Sequence, residues 1–216
     1  MIKIGIIGLG ILGGTYYEGY KYLGYDVKGY DKFRTSDVSQ VEDLFDRDCI
    51  LICLPTICKK DGSPDLSPFK DILPQLKDYK GAIIVRSTMM PGQTDGFSKK
   101  YNLTLMHCPE FLTEKNCKSD FFHPSRILIG LPEKMIGLSQ EEYKKYDPIF
   151  YELFKYVEVP VYIGSARETE LAKVASNVFL AVKVTYANEM NKICVASGLN
   201  WERIKGMMQD DKRLST

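Results

Sequence analysis

The chemistry of this chain starts with three spaced glycines. Gly8-Leu9-Gly10-Ile11-Leu12-Gly13 follows an apolar run from Ile2 to Ile7. In such a turn Gly8 permits the tight bend, Gly10 lets the backbone approach a pyrophosphate, and Gly13 allows a helix to pack closely on a strand. The amides of a helix beginning at Ile11 and Leu12, at its positive dipole end, then face the phosphates. Asp31 ends the next apolar stretch. There a carboxylate accepts hydrogen bonds from the adenosine ribose and repels a 2′-phosphate, which favours NAD over NADP. Lys32 and Arg34 stand close enough to soften that preference. The expectation is a Rossmann-type domain holding NAD; the alternative is a glycine turn that holds no ligand.

The elements that must position this loop can be read from short apolar runs alternating with amphipathic stretches, as in successive βα units. Strands are expected over 2–7, 26–30, 49–54, 82–86 and 103–107, rich in Ile, Val and Leu with little alternation, as in parallel strands covered on both faces. Helices are expected at roughly 11–23, 40–46, 66–77 and 93–100. Two further strands, 126–130 and 157–163, flank a helix around 139–155. The fold class is therefore α/β, a doubly wound parallel sheet with right-handed crossovers.

Beyond 165 the texture changes. No proline or glycine occurs from Ala166 to Ser197, and Leu171, Val174, Val178, Ala181 and Val182 recur at helical spacing. Ser165 with Glu168 forms a capping box, and Gly198 is a suitable terminator. One helix over 166–197, roughly 45 Å long at about 1.5 Å per residue, should be followed by a short one over 200–209. This divides the chain into a dinucleotide-binding domain, 1–164, and a central helical segment, 165–216. So long a helix cannot bury its whole length against a domain of this size. It serves as a connector, as a dimerisation helix, or as both.

Bulk composition narrows the function classes. The 216 residues carry a net charge of +1 with acids and bases mixed, which argues against nucleic-acid binding through a basic face. No apolar run is long enough for a bilayer, and the N-terminus runs straight into the glycine loop without a signal peptide. A cytoplasmic protein is expected, with its six irregularly spaced cysteines read as buried thiols. Cys108, Cys117, His107 and His123 fit no familiar zinc spacing, and no metal is expected.

Four motifs in order carry a resemblance. They are Cys53-Leu54-Pro55-Thr56 with Gly62-Ser63-Pro64-Asp65-Leu66; Arg86-Ser87-Thr88-Met89-Met90-Pro91-Gly92-Gln93-Thr94; Cys108-Pro109-Glu110-Phe111-Leu112-Thr113-Glu114 with Asp120-Phe121 and Pro124-Ser125-Arg126-Ile127-Leu128-Ile129-Gly130; and Glu170-Leu171-Ala172-Lys173-Val174-Ala175-Ser176-Asn177 with Asn188-Glu189. Together they resemble the UDP-glucose/GDP-mannose dehydrogenase family over nearly the whole chain.

The resemblance implies oxidation of a sugar C6 alcohol to the acid by two hydride transfers to two NAD molecules, with a nucleotide sugar of the UDP-sugar type as substrate; the length of the 166–197 helix adds the expectation of a homodimer through it. It implies catalytic roles for Lys173, Asn177, Glu110, Glu114 and Thr88, and cofactor contacts from Pro55, Thr56, Thr88 and Glu114 beside the glycine loop, Asp31 and Lys32. Lys173 and Asn177 are four apart and share a helix face; an amine beside an amide donor suits a developing oxyanion. Thr88 is suited to order a water or the nicotinamide end. Glu110 and Glu114 resemble carboxylates that position water and act as general base. The family usually has arginine where this chain has Thr113.

These residues hold no glycine-rich segment with the family's nucleophilic cysteine, and Asp211-Lys212-Arg213-Leu214 resembles the stretch that precedes it. Without that thiol the aldehyde-to-acid step has no evident route, and the expectation is a truncated NAD-binding portion. Two alternatives stand beside it: a natural short module that binds NAD and dimerises without turnover, and a two-electron β-hydroxyacid dehydrogenase.

Overall fold

The computed structural model describes residues 1–113, 115–135 and 147–211. They form two compact units, residues 1–174 and residues from 175 onward. The first is built on a seven-stranded sheet: β1 (Lys3–Ile7), β2 (Asp26–Tyr30), β3 (Cys49–Ile52), β4 (Ala82–Val85), β5 (Leu105–His107), β6 (Ile127–Leu131) and β7 (Val161–Ser165). Its order is β2-β1-β3-β4-β5-β6-β7. The helices are α1 (Ile11–Tyr22), α2 (Ser67–Ile72), α3 (Gln93–Tyr101), α4 (Cys117–Phe122), α5 (Asp147–Phe154) and the long α6 (Ala166–Ala196); α7 (Trp201–Gln209) lies in the second unit.

Both faces of the sheet are covered at its central strands, which explains their continuous apolar runs, whereas Val161, Tyr162 and Ile163 of the edge strand β7 are exposed. In β3, Cys49 and Leu51 join Ile4, Ile6, Tyr16, Tyr20 and Phe121 on one side. Ile50 and Ile52 join Ile7, Leu44, Phe69, Leu73 and Leu76 on the other. A strand whose successive side chains all enter a core has no polar face to display.

Four local expectations need correction. The stretch 40–46 is a 3-10 turn, Val41–Leu44, and no strand forms between residues 31 and 48. One strand rather than two therefore lies beyond β1, where the Rossmann order places two. The helix expected over 66–77 changes to a 3-10 turn at Leu73–Leu76, because Pro74 has no amide to continue the α ladder. β6 is antiparallel to β5, and only β7 restores parallel pairing, with β6. The connection from β5 contains only the six-residue α4, whose Phe121 is packed against Tyr16 and Tyr20 of α1, and from there the chain returns beside β5 in the opposite direction. Finally, β7 starts at Val161, so 157–160 precede the strand. Of the helix expected around 139–155, the part over 139–146 lies outside the described residues.

The start of α6 is built as its sequence requires. The Glu168 amide donates to Ser165 Oγ at 3.2 Å, and the Ser165 amide donates to the Glu168 carboxylate at 2.7 Å. In the second unit, Gly198 takes a positive φ of 67° after the helix, and Asn200 caps α7 by accepting from the Arg203 amide at 3.1 Å. Val178, Phe179, Leu180, Val182, Val184, Ile193 and Val195 are exposed there. No helix among the described residues is long and apolar enough to cross a membrane.

Candidate cofactor site

Chain direction explains where a site forms. β1 and β3 are neighbours that leave the sheet in opposite senses, β1 toward β2 and β3 toward β4, and a crevice opens at their carboxyl ends. The glycine loop sits there. Gly8 has φ of +90° and its amide donates to the Tyr30 carbonyl oxygen at 2.8 Å. A Cβ at Gly13 would lie 1.8 Å from the Gly8 carbonyl oxygen, so Gly13 is required for loop and helix to touch.

Gly10 differs. Its φ is an ordinary −67°, and a Cβ there would meet nothing within 4 Å. Neither the fold nor the backbone demands glycine at this position. The space a side chain would fill faces the N-terminus of α1, where no side chain supplies a cap. A backbone cradle kept bare at a positive helix end suits a pyrophosphate.

The cleft around this loop measures about 880 Å³, ample for a dinucleotide. Asp31, Lys32, Phe33 and Arg34 line one end; Pro55 and Thr56 follow, and Thr88 and Glu110 stand toward the other. Ile11 and Leu12 complete the wall at the start of α1. The structure thus brings most of the expected cofactor residues to one crevice. Glu114 lies outside the described residues.

Asp31 does more than the motif suggests. One carboxylate oxygen accepts from the Leu9 amide at 2.7 Å, and the other from the Phe33 and Arg34 amides at 2.8 and 3.0 Å. It pins the glycine loop to the end of β2 and retains one of about four lone-pair sites for a ribose hydroxyl. Lys32 is paired with Asp71 at 2.9 Å, so its charge is largely answered within the protein. Phe33, 90% exposed at the rim, and Asp71 were not singled out from the sequence. A lone aromatic between Lys32 and Arg34 just after the acidic residue is the signal that marks Phe33.

At the far end a second group gathers. Lys173 is buried on α6 and donates from Nζ to the Glu110 carbonyl oxygen at 2.6 Å and to its carboxylate at 3.1 Å. The other Glu110 oxygen accepts from the Leu112 amide. One turn earlier, Glu170 accepts from the Thr94 amide at 2.8 Å and from the Gly92 amide, holding α6 against the start of α3. Burial raises the Glu170 pKa, and these hydrogen bonds oppose the shift. His107 Nδ1 lies 2.8 Å from Thr169 Oγ1; burial pushes its pKa down to about 4, so the ring is neutral near pH 7. Three polar contacts therefore fix the first turns of α6, and with them Lys173. Asn177 belongs to the second unit, where its side chain is exposed.

All six cysteines are free thiols, but only four are buried as expected: Cys58 is exposed and Cys117 half-buried. Cys53 lines the cleft, and burial pushes its thiol up to about 12. It cannot act as a thiolate nucleophile at neutral pH.

Comparison with known proteins agrees with this geometry. Residues 31–147 match the model of the UDP-glucose/GDP-mannose dehydrogenase family NAD-binding domain, and residues 167–216 match the central domain of the same family. UDP-glucose 6-dehydrogenase of Pseudomonas aeruginosa is 31% identical over 196 residues, covering 84% of this chain and 42% of that protein. GDP-mannose 6-dehydrogenase of the same organism is 25% identical, covering 80% and 41%. The chain thus spans less than half the length of these relatives. A UDP-glucose dehydrogenase structure from Pyrobaculum islandicum superposes with a TM-score of 0.85 at 26% identity, covering 99% of this chain and 57% of that one. This chain belongs to the UDP-glucose/GDP-mannose dehydrogenase family and carries its NAD-binding domain.

Proposed function

We propose that this chain is the cofactor-holding part of a nucleotide-sugar dehydrogenase of the UDP-glucose 6-dehydrogenase type. One observation carries the reading: a single cleft runs from Asp31 past the bare Gly10 cradle to Thr88 and Glu110, and Glu110 is held by buried Lys173. NAD, when bound, supplies the hydride acceptor for a sugar C6 alcohol. The amides at Ile11 and Leu12 hold the pyrophosphate, Asp31 holds the ribose, and Pro55 and Thr56 flank the middle of the dinucleotide. Thr88 orders the nicotinamide end or a water.

Lys173 and Asn177 stabilise the oxyanion that develops as the alcohol loses its proton, and Glu110 with Glu114 positions water and accepts protons. On this reading residues 1–164 form the NAD-binding domain and 165–216 a helical segment through which two copies associate, in the cytoplasm. The aldehyde-to-acid step requires a nucleophilic thiol, and none of the six cysteines has the glycine-rich setting of the family's nucleophile.

The test is titration of the purified chain with NAD by calorimetry and thermal shift, followed by incubation with NAD and UDP-glucose. Saturable NAD binding is expected. Absence of stabilisation at millimolar NAD would refute the cofactor assignment, since a ligand well above its Kd must stabilise the folded state. Release of two NADH per sugar by the chain alone would refute the thiol argument.

A further inference from the structure

Arg47 and Arg86 are both buried in the first unit, each about 5% exposed. Arg47 is compensated: Asp26 lies 2.7 Å from its Nη1, and the neighbouring Asp46 contacts Nη2. Arg86, at the end of β4, is not. Its Nη1 reaches the Cys108 thiol at 2.7 Å and its Nη2 the Tyr16 hydroxyl, while Nε is buried without a partner. The Tyr16 and Phe154 rings lie 4.5 and 5.6 Å from the guanidinium. Among the described residues no carboxylate forms an ion pair with it.

A guanidinium cannot discard its proton in a protein, and a buried charge without a counter-charge is strongly disfavoured. The two polar neighbours do not supply one. Cys108 and Tyr16 are wholly buried, and burial raises both pKa values.

Beside Arg86 is a cavity of about 180 Å³, also lined by Arg126 and His123. It shares only Glu110 with the dinucleotide cleft. Its volume exceeds that of a tetrahedral oxyanion with a water, each water taking about 30 Å³ in the liquid. Among the described residues two carboxylates border it, and both are committed elsewhere. Glu110 binds Lys173 and the Leu112 amide, and Asp120 accepts from the Thr113 amide and hydroxyl, each at 2.7 Å. His123 and Ser125 are exposed at its edge, so a solute can enter.

We propose that this cavity binds a small oxyanion of the phosphate class, which supplies the counter-charge that no described residue gives Arg86. The site is independent of the proposed dehydrogenase activity. Because Glu110 forms the wall between cavity and cleft, an anion here stands beside the Lys173 partner without entering the dinucleotide crevice.

Thermal shift and calorimetry with sodium phosphate against sodium chloride at matched ionic strength test this on the whole chain. A bare helix N-terminus also suits phosphate, so Gly10→Val serves as the background in which the glycine loop is blocked. Saturable stabilisation by phosphate is expected in Gly10→Val. It should be lost in Gly10→Val/Arg86→Met. Arg86→Met removes a buried charge and keeps an apolar side chain of similar length, so it should fold without phosphate at least as well as the parent. Equal phosphate stabilisation with and without Arg86, or none in the Gly10→Val background, would overturn the proposal. So would a thiolate ultraviolet absorbance at neutral pH that disappears in Cys108→Ala, since the counter-charge would then be internal.

Discussion

Lys173 Nζ lies 2.6 Å from the carbonyl oxygen of Glu110 and 3.1 Å from its carboxylate, joining the start of the long helix to the loop after β5. The two side chains are 7% and 15% exposed, so the pair is poorly hydrated. Lys173→Met leaves the Glu110 carboxylate without its cation and is expected to destabilise the chain by about 3 kcal/mol. Glu110→Gln should cost less, and the double variant should be less destabilised than the sum of the singles. Urea unfolding of the four proteins measures this. A coupling below about 0.5 kcal/mol would mean that the contact contributes nothing specific.

Gly10 and Gly13 should separate folding from binding. Gly10→Val introduces a side chain into open space at an ordinary φ, so stability should change by no more than about 0.5 kcal/mol. Thermal stabilisation by NAD should disappear. Gly13→Val places Cβ against the Gly8 carbonyl oxygen and is expected to prevent folding. Retained NAD binding in Gly10→Val would show that the cradle does not receive the pyrophosphate.

The neutral, buried His107 makes stability fall in mild acid. Its folded pKa of about 4 is depressed from an ordinary value of 6.5, chiefly by burial and against the hydrogen bond to the Ser87 carbonyl. A depressed folded pKa means that the unfolded chain binds the proton more tightly. The stabilisation is therefore present above about pH 6.5 and is lost as pH falls toward 4. Between pH 7 and pH 5 the loss should be about 2 kcal/mol. Urea midpoints at the two pH values, compared with those of His107→Gln, isolate it; an equal loss in the variant would assign the effect to other groups.

Association through α6 has a direct test. Val178 and Val182 are four apart, on one helical face, and are 57% and 59% exposed. If that face pairs with a second copy, sedimentation equilibrium should give a dimer, and Val178→Lys/Val182→Lys should give a folded monomer. A monomeric parent chain would refute the dimer proposal.

Where the chain repeats a local rule, sequence and structure agree closely. The Ser165/Glu168 box, the uninterrupted stretch that follows and Gly198 define α6, because helix ends depend on backbone groups within a few residues. The glycine spacing after β1 places α1 and its loop for the same reason. Disagreement begins where the outcome depends on distant partners. Nothing local to Ile127–Leu131 says whether it pairs parallel or antiparallel with β5; that depends on where the connection through α4 packs. Pro74 within 66–77 was the readable exception, a residue whose missing amide marks the break.

The amino-acid sequence by itself determined the α/β class, the dinucleotide loop, the family and the residue types available for chemistry, since these rest on spacing along the chain. Tertiary structure alone decided which of those residues meet. It brought Lys173 onto Glu110 across 63 positions of chain and turned Asp31 back onto the Leu9 amide. It also paired Lys32 with Asp71 and left Arg86 buried with no carboxylate partner among the described residues. Such contacts depend on three-dimensional packing, where a buried donor or charge finds its partner by proximity in space rather than in sequence.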